Sequence, residues 1–113
     1  MNIEQFRNIC IEMESVTEEF PFGNETLVFK VYGKVFALTN IETFTSMNLK
    51  CDPEYAVELR EKFDFVLPGY HMNKKHWNTV LLNGSQDDSF YKKQIIDSYN
   101  LVLKGVPISK RKS

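Results

Sequence analysis

Apolar residues recur at Ile3, Phe6, Cys10 and Met13, at spacings of three and four that place one stripe along a helix. Asn2 stands where it can cap that helix. Ser15–Asn24, with Pro21 and Gly23, cannot continue it and reads as a loop. Alternation then takes over. Thr26–Tyr32 and Val35–Asn40 flank Gly33-Lys34, and Gly at the first of two loop positions fits a type II′ hairpin turn. That turn sets Tyr32 opposite Val35, Val31 opposite Phe36, and Phe29 opposite Leu38. Leu27, Phe29, Val31, Phe36 and Leu38 then share one apolar face. Val28, Lys30, Tyr32, Val35, Ala37 and Thr39 take the other, and a one-residue slip would exchange the two sets.

Asn40–Thr43 forms the next turn, and a third strand covers about Phe44–Lys50 with Met47 and Leu49 inward. Asp52-Pro53 opens a second helix, as N-cap and first-turn proline. Ala56, Leu59 and Phe63 form its buried stripe. A fourth strand runs near Phe65–Met72, irregular at Pro68-Gly69, and a fifth near Trp77–Leu82. The fifth has Trp77 and Leu81 on one side and Val80 and Leu82 on the other, so its inward face stays open. Asp87 or Asp88 caps a last helix reaching about Lys104, with Tyr91, Ile95, Tyr99 and Val102 as its stripe and Gly105 and Pro107 after it. The predicted order is α-β-β-β-α-β-β-α: an α+β fold with a single antiparallel sheet and helices on one face.

The chain has 113 residues, the size of one domain, with a basic tail at 109–113 that reads as frayed. Hydrophobic residues are 42% and charged residues 26%, proportions that support a core without crosslinks. No apolar run reaches the roughly 20 residues of a membrane span. The N-terminus lacks the pattern of a secretory signal. Two cysteines, Cys10 and Cys51, fit reduced core positions in a cytoplasmic protein. Net charge is −1, so no global field draws the chain to nucleic acid. The charge is uneven: residues 1–25 hold six acids and one base, and residues 65–113 hold eight bases and three acids.

Nucleotide-binding glycine motifs, HExxH, EF-hand loops and zinc-finger spacings are absent from the sequence. His71 and His76 fall on opposite faces of an extended segment. No local group completes a Cys–His nucleophile. The reading therefore assigns no catalytic residue, metal or cofactor. An enzyme would need a pocket gathering His71, His76 and an acid. The densest chemistry lies in Tyr70-His71-Met72-Asn73-Lys74-Lys75-His76-Trp77-Asn78, where bases, aromatics and amides interleave. Such a mixture suits phosphate contact and base stacking. The structural reading comes first: Trp77 is expected to be largely core, with Lys74 and Lys75 displayed beside it in a wet turn.

Phe20-Pro21-Phe22-Gly23, Lys34-Val35-Phe36-Ala37-Leu38, Pro68-Gly69 through Val80, and Asp97-Ser98-Tyr99-Asn100-Leu101-Val102 follow one another in order. In this series the chain resembles the MmcQ/YjbR family of small bacterial proteins along essentially its whole length. Asn73-Lys74-Lys75-His76-Trp77-Asn78 is the most specific part. The resemblance implies an α+β fold similar to the frataxin-like and type III secretion chaperone-like group, and DNA binding by a double-wing arrangement. It supplies no catalytic residues. Members often end in a lysine-rich tail, matched here by Lys110-Arg111-Lys112, whereas the near-neutral charge and acidic first helix depart from the pattern. The expected DNA-contacting residues are Lys34, Asn73, Lys74, Lys75, His76, Trp77, Asn78, Lys110, Arg111 and Lys112. The alternative partner is another protein, held by the outer sheet face through Val28, Tyr32, Val35 and Ala37. Neither reading calls for a membrane, and the expected state is a monomer.

Overall fold

Asn2 caps helix α1 (Ile3–Glu12) in the computed structural model, which describes residues 1–111. Its side chain accepts from the Gln5 N–H while the Gln5 side chain returns a bond to the Asn2 N–H, a reciprocal capping box. Phe6 and Cys10 are the buried part of the expected stripe. Strands β1 (Val16–Glu19), β2 (Thr26–Val31), β3 (Lys34–Asn40) and β4 (Ser46–Lys50) follow, then α2 (Pro53–Lys62), β5 (Val66–Pro68), β6 (Trp77–Leu81) and α3 (Asp88–Lys104). A short 3-10 turn, Ile108–Lys110, comes after them. The fold is α+β, and its one antiparallel sheet has the order β1-β2-β3-β4-β6-β5. The expected order of elements is present with one addition, β1.

That addition corrects the loop expected over Ser15–Asn24. Val16 to Glu19 pair antiparallel with Val31 to Val28, so the segment is an edge strand. Only four residues long and with polar Thr17, Glu18 and Glu19, it shows too little alternation to stand out from a loop.

The hairpin is corrected as well. Its loop is Tyr32-Gly33, one residue earlier than expected, because Val31 pairs with Lys34. Tyr32 and Gly33 both have positive φ, 49° and 78°, as a type I′ turn requires. The register then shifts between Phe29 and Lys30, so that Phe29 faces Ala37 and Val28 faces Leu38. Phe36 is the extra residue of this bulge. Phe36 stays in the core, Ala37 joins it, and Leu38 crosses to the open face opposite Asn48. Lys30 is on the open face as expected, 3.1 Å from Glu19.

The helices and one sheet face share a single core of Phe6, Phe29, Phe36, Met47, Leu59, Tyr91, Ile95 and their neighbours. Phe36 meets Tyr99 edge-on, with ring centroids 5.4 Å apart. Phe63, Phe65 and Phe90 close the far end, with centroids 5.1 to 5.6 Å apart. The inward face of β6 is that of Asn78 and Val80, which pair with the inward Leu49 and Met47. Ser98 joins α3 to the sheet. Its hydroxyl donates to the Phe36 carbonyl at 2.6 Å and accepts from the Lys50 N–H at 2.8 Å. It thereby satisfies two backbone groups beside the bulge. Among the described residues, no helix is long and apolar enough to cross a membrane. Cys10 and Cys51 are free thiols.

The tail is only partly as expected. Pro107 leads the 3-10 turn, and the Arg111 guanidinium donates to the carbonyls of Val106 at 3.1 Å and Leu103 at 2.6 Å. It satisfies carbonyls at the end of α3, where a cation also meets the negative pole of the helix. Lys112 and Ser113 lie outside the described residues.

Candidate functional site

The chemically dense segment folds as a tight loop between β5 and β6, held from below by Arg60 of α2. The Arg60 Nε donates to the Asn78 Oδ1 at 2.7 Å, and its Nη2 to the carbonyls of Trp77, at 3.1 Å, and Lys74. The Asn73 side chain accepts from the Lys75 N–H at 2.9 Å, and the Asn73 carbonyl accepts from the N–H groups of His76 and Trp77. Such an Asx turn is the local reason for asparagine at that position. The Lys74 ammonium folds back on the Gly69 carbonyl at 3.1 Å. Gly69 itself sits where a Cβ would come 2.7 Å from the Trp77 Cβ and 2.9 Å from its carbonyl oxygen. A side chain there would force strand and loop apart.

Five of the ten expected DNA-contacting residues, Asn73, Lys74, His76, Asn78 and Arg111, make hydrogen bonds within the fold. Asn78 is 2% exposed and lies beneath the sheet, so it is no surface contact. Trp77 is half-buried on the open face, outside the core cluster, which corrects its expected core position. His76 is half-buried, and its carbonyl accepts from the Cys51 N–H. Arg111 is committed to α3. Asn73 and Lys74 are exposed but shape the loop. Lys34, Lys75 and Lys110 are exposed. Pairing of β3 with β4 and of β4 with β6 puts Lys34 at the same end of the sheet as Trp77, with β4 between them. Lys112 lies outside the described residues. His71 is exposed and His76 half-buried. The His71 ring packs against Tyr70 at a tilt of 55°, with centroids 4.0 Å apart.

The open sheet face carries the other candidate. A groove of about 510 Å³ crosses it, with a floor of Thr26, Leu38, Ser46 and Asn48. Phe22 from the β1–β2 connection walls one side, and Tyr70, His71 and Met72 wall the other. Phe22 is 75% exposed and Tyr70 68%, the two most open aromatic rings in the chain. The expected outer-face set fits only in part. Val35 is half-buried, Tyr32 lies in the turn, Val28 is fully buried and Ala37 is in the core. Leu38, Phe22 and Tyr70 take their place. Loop 69–72 is anchored to the floor: the Thr79 hydroxyl accepts from the Tyr70 N–H at 2.9 Å and itself donates to the Asn48 side chain. His71 has φ 58°, a left-handed conformation uncommon for a residue with a Cβ. Exposed Glu25 precedes the floor residue Thr26, and exposed Glu42 lies two residues after Asn40, which also lines the groove. Arg60 and the groove are the features that sequence reasoning missed. Arg60 acts on backbone carbonyls and leaves no spacing pattern, and the groove depended on Leu38 changing face.

These features define a small α+β protein with one open sheet face and a braced, aromatic loop beside it. The model of the YjbR family matches residues 11–101, and the chain belongs to that family. It is 36% identical to uncharacterized protein YbdF of Escherichia coli O157:H7 over 104 residues, covering 91% of this chain and 85% of the relative. It is 31% identical to uncharacterized protein YjbR of Escherichia coli strain K12 over 113 residues, covering 99% and 96%. Among solved structures it is similar to Deinococcus radiodurans protein DR2400, described with a DUF419 domain. There the TM-score is 0.91 and the identity 39%, over 97% of this chain and 85% of that one. A Pseudomonas syringae protein is similar at a TM-score of 0.75 and 31% identity, over 89% and 98%.

Proposed function

We propose that this protein is a binding module whose open-face groove takes an extended segment of a partner protein, one with apolar side chains beside a basic residue. The observation that carries this reading is the groove between Phe22 and Tyr70. Apolar side chains would lie against Phe22, Leu38, Tyr70 and Met72. The hydroxyls and amides of Thr26, Ser46 and Asn48 suit the polar main chain between them. Glu25 and Glu42 favour a basic flank and disfavour a run of phosphates. Both sheet edges are short: β1 has four residues, and β5 has three and ends in Pro68. The face, rather than an added edge strand, is therefore the surface on offer.

DNA binding is the second reading, and its support is the placement of exposed Lys34 and Lys75 at one end of the sheet. Binding of that kind would be weak, insensitive to sequence and steeply salt-dependent. Selection of displayed random peptides against the full chain tests the first reading. The expected result is a consensus of apolar residues with Lys or Arg nearby, whose binding is lost in Leu38→Glu. A low-salt titration with duplex and single-stranded DNA tests the second. DNA binding that survives Leu38→Glu and falls in a Lys34→Ala, Lys75→Ala double variant, with no peptide selected, would replace the protein-segment reading.

A further inference from the structure

Two asparagines line the open-face groove, and the fold takes the oxygen of each. The Asn40 Oδ1 accepts from the N–H groups of Glu42, at 2.9 Å, and Thr43, at 3.2 Å. A flipped amide would set donor against donor there, so the Nδ2 is the atom left over. The Asn48 Oδ1 accepts from the hydroxyl of Thr79, which stands opposite it on β6 and outside the groove. Thr79 is 6% exposed, and a flipped Asn48 would leave its hydroxyl proton without that acceptor. The Asn48 Nδ2 makes no hydrogen bond among the described residues. Nor is it sealed in: among those residues the buried, unpaired side-chain atoms are the Asn78 Nδ2 and the Tyr91 hydroxyl. It opens on the side away from Thr79, where the groove lies. Both amides thus offer the groove a donor while their oxygens are turned into the fold. The Thr39 hydroxyl is committed to the Ser46 carbonyl at 2.6 Å. The other hydroxyls of the lining can donate or accept, and a neutral His71 offers one of each.

We propose that the segment this groove takes is proline-rich and bound as a polyproline II helix. Its carbonyls accept from the Nδ2 atoms of Asn40 and Asn48, and its rings lie against Phe22 and Tyr70. The inference rests on the reading of the groove as a site for a protein segment and names the class of segment. An ordinary extended segment brings an N–H with every carbonyl, and neither amide has an oxygen turned to meet one. Proline brings the carbonyl alone. A polyproline II helix has no internal hydrogen bonds and needs no sheet edge, and it is ordered before it binds. Phe22 and Tyr70, the two most exposed aromatic rings, supply the aromatic walls that such helices dock between. Exposed Glu25 and Glu42 near the groove favour a basic residue beside the prolines.

The test begins with random peptides displayed against the full chain. The expected consensus carries prolines about three residues apart, the repeat of the helix, beside Arg or Lys. The tightest peptide is then synthesised. Replacing its prolines with alanine restores N–H groups and should weaken it about tenfold or more. Asn40→Asp and Asn48→Asp keep the oxygens that the fold uses and remove the donors, and each should weaken the peptide about fivefold. Both variants add negative charge, so a groove that merely attracts a basic peptide would bind it more tightly in either. Asn40 is exposed, so its variant carries the test if the Asn48 variant does not fold. A consensus without proline whose binding is lost in Leu38→Glu would overturn the proline-rich segment and leave the groove as a site for some other segment. Undiminished binding in Asn40→Asp would overturn the donor contact in the same way. Selection of no peptide at all would overturn both readings.

Discussion

Arg60 and Ser98 are single side chains that hold whole segments in place, and both do so through backbone groups. Replacing Arg60 with Ala removes three hydrogen bonds and leaves the buried Asn78 oxygen unpaired. The expected loss is about 3 kcal/mol in denaturant unfolding, with loop 69–77 loosened in amide exchange. Ser98→Ala orphans the Phe36 carbonyl and the Lys50 N–H together and should cost about 2–4 kcal/mol by the same measurement. Neither role was legible beforehand, because a bond to a carbonyl imposes no residue type or spacing on its partner. The cysteines, by contrast, were readable as free thiols. Burial pushes the Cys10 thiol up strongly, and Cys51 is raised from 9.0 to about 11. Between those pH values the unfolded chain gives up protons that the folded chain keeps. Stability should therefore fall as pH rises from 9.0 to about 11. Urea midpoints across that window check this, and Cys51→Ser should make the decline shallower.

At the scale of elements, caps and helical stripes were legible because each rests on local chemistry. Asn2, Asp52 and Asp87 cap their helices, and Tyr91, Ile95, Tyr99 and Val102 are buried along α3. The hairpin was legible only up to its bulge. Alternation alone kept Phe36 and Leu38 on one face, whereas the extra residue holds Phe36 inside and sends Leu38 out. Phe29 lies inward under either register and is 0% exposed, so Phe29→Ala should cost about 3–5 kcal/mol in equilibrium unfolding. Trp77 lies outside the core cluster, and Trp77→Ala should cost less, about 1–3 kcal/mol. A Trp77→Ala loss as large as that of Phe29→Ala would contradict this placement.

Across the whole molecule, many of the charged side chains take partners once the chain folds. Arg7 pairs with Glu18, Lys30 with Glu19 and Lys93 with Asp97, while Arg60, Lys74 and Arg111 serve carbonyls. The motif of residues 70–78 was legible as a distinctive segment, but not as a braced loop, since its brace comes from α2. The family too was legible in the order of its motifs. The groove was not, because its walls, Phe22 and Tyr70, are far apart in sequence and meet only across the folded sheet. The most direct test of the account is the affinity of a groove-selected peptide for a Phe22→Ala, Tyr70→Ala double variant. Both rings are exposed, so melting should hardly change, while binding should weaken by about tenfold or more. Undiminished peptide binding in that variant, together with its loss in a Lys34→Ala, Lys75→Ala double variant, would contradict the assignment of the open face as the recognition surface.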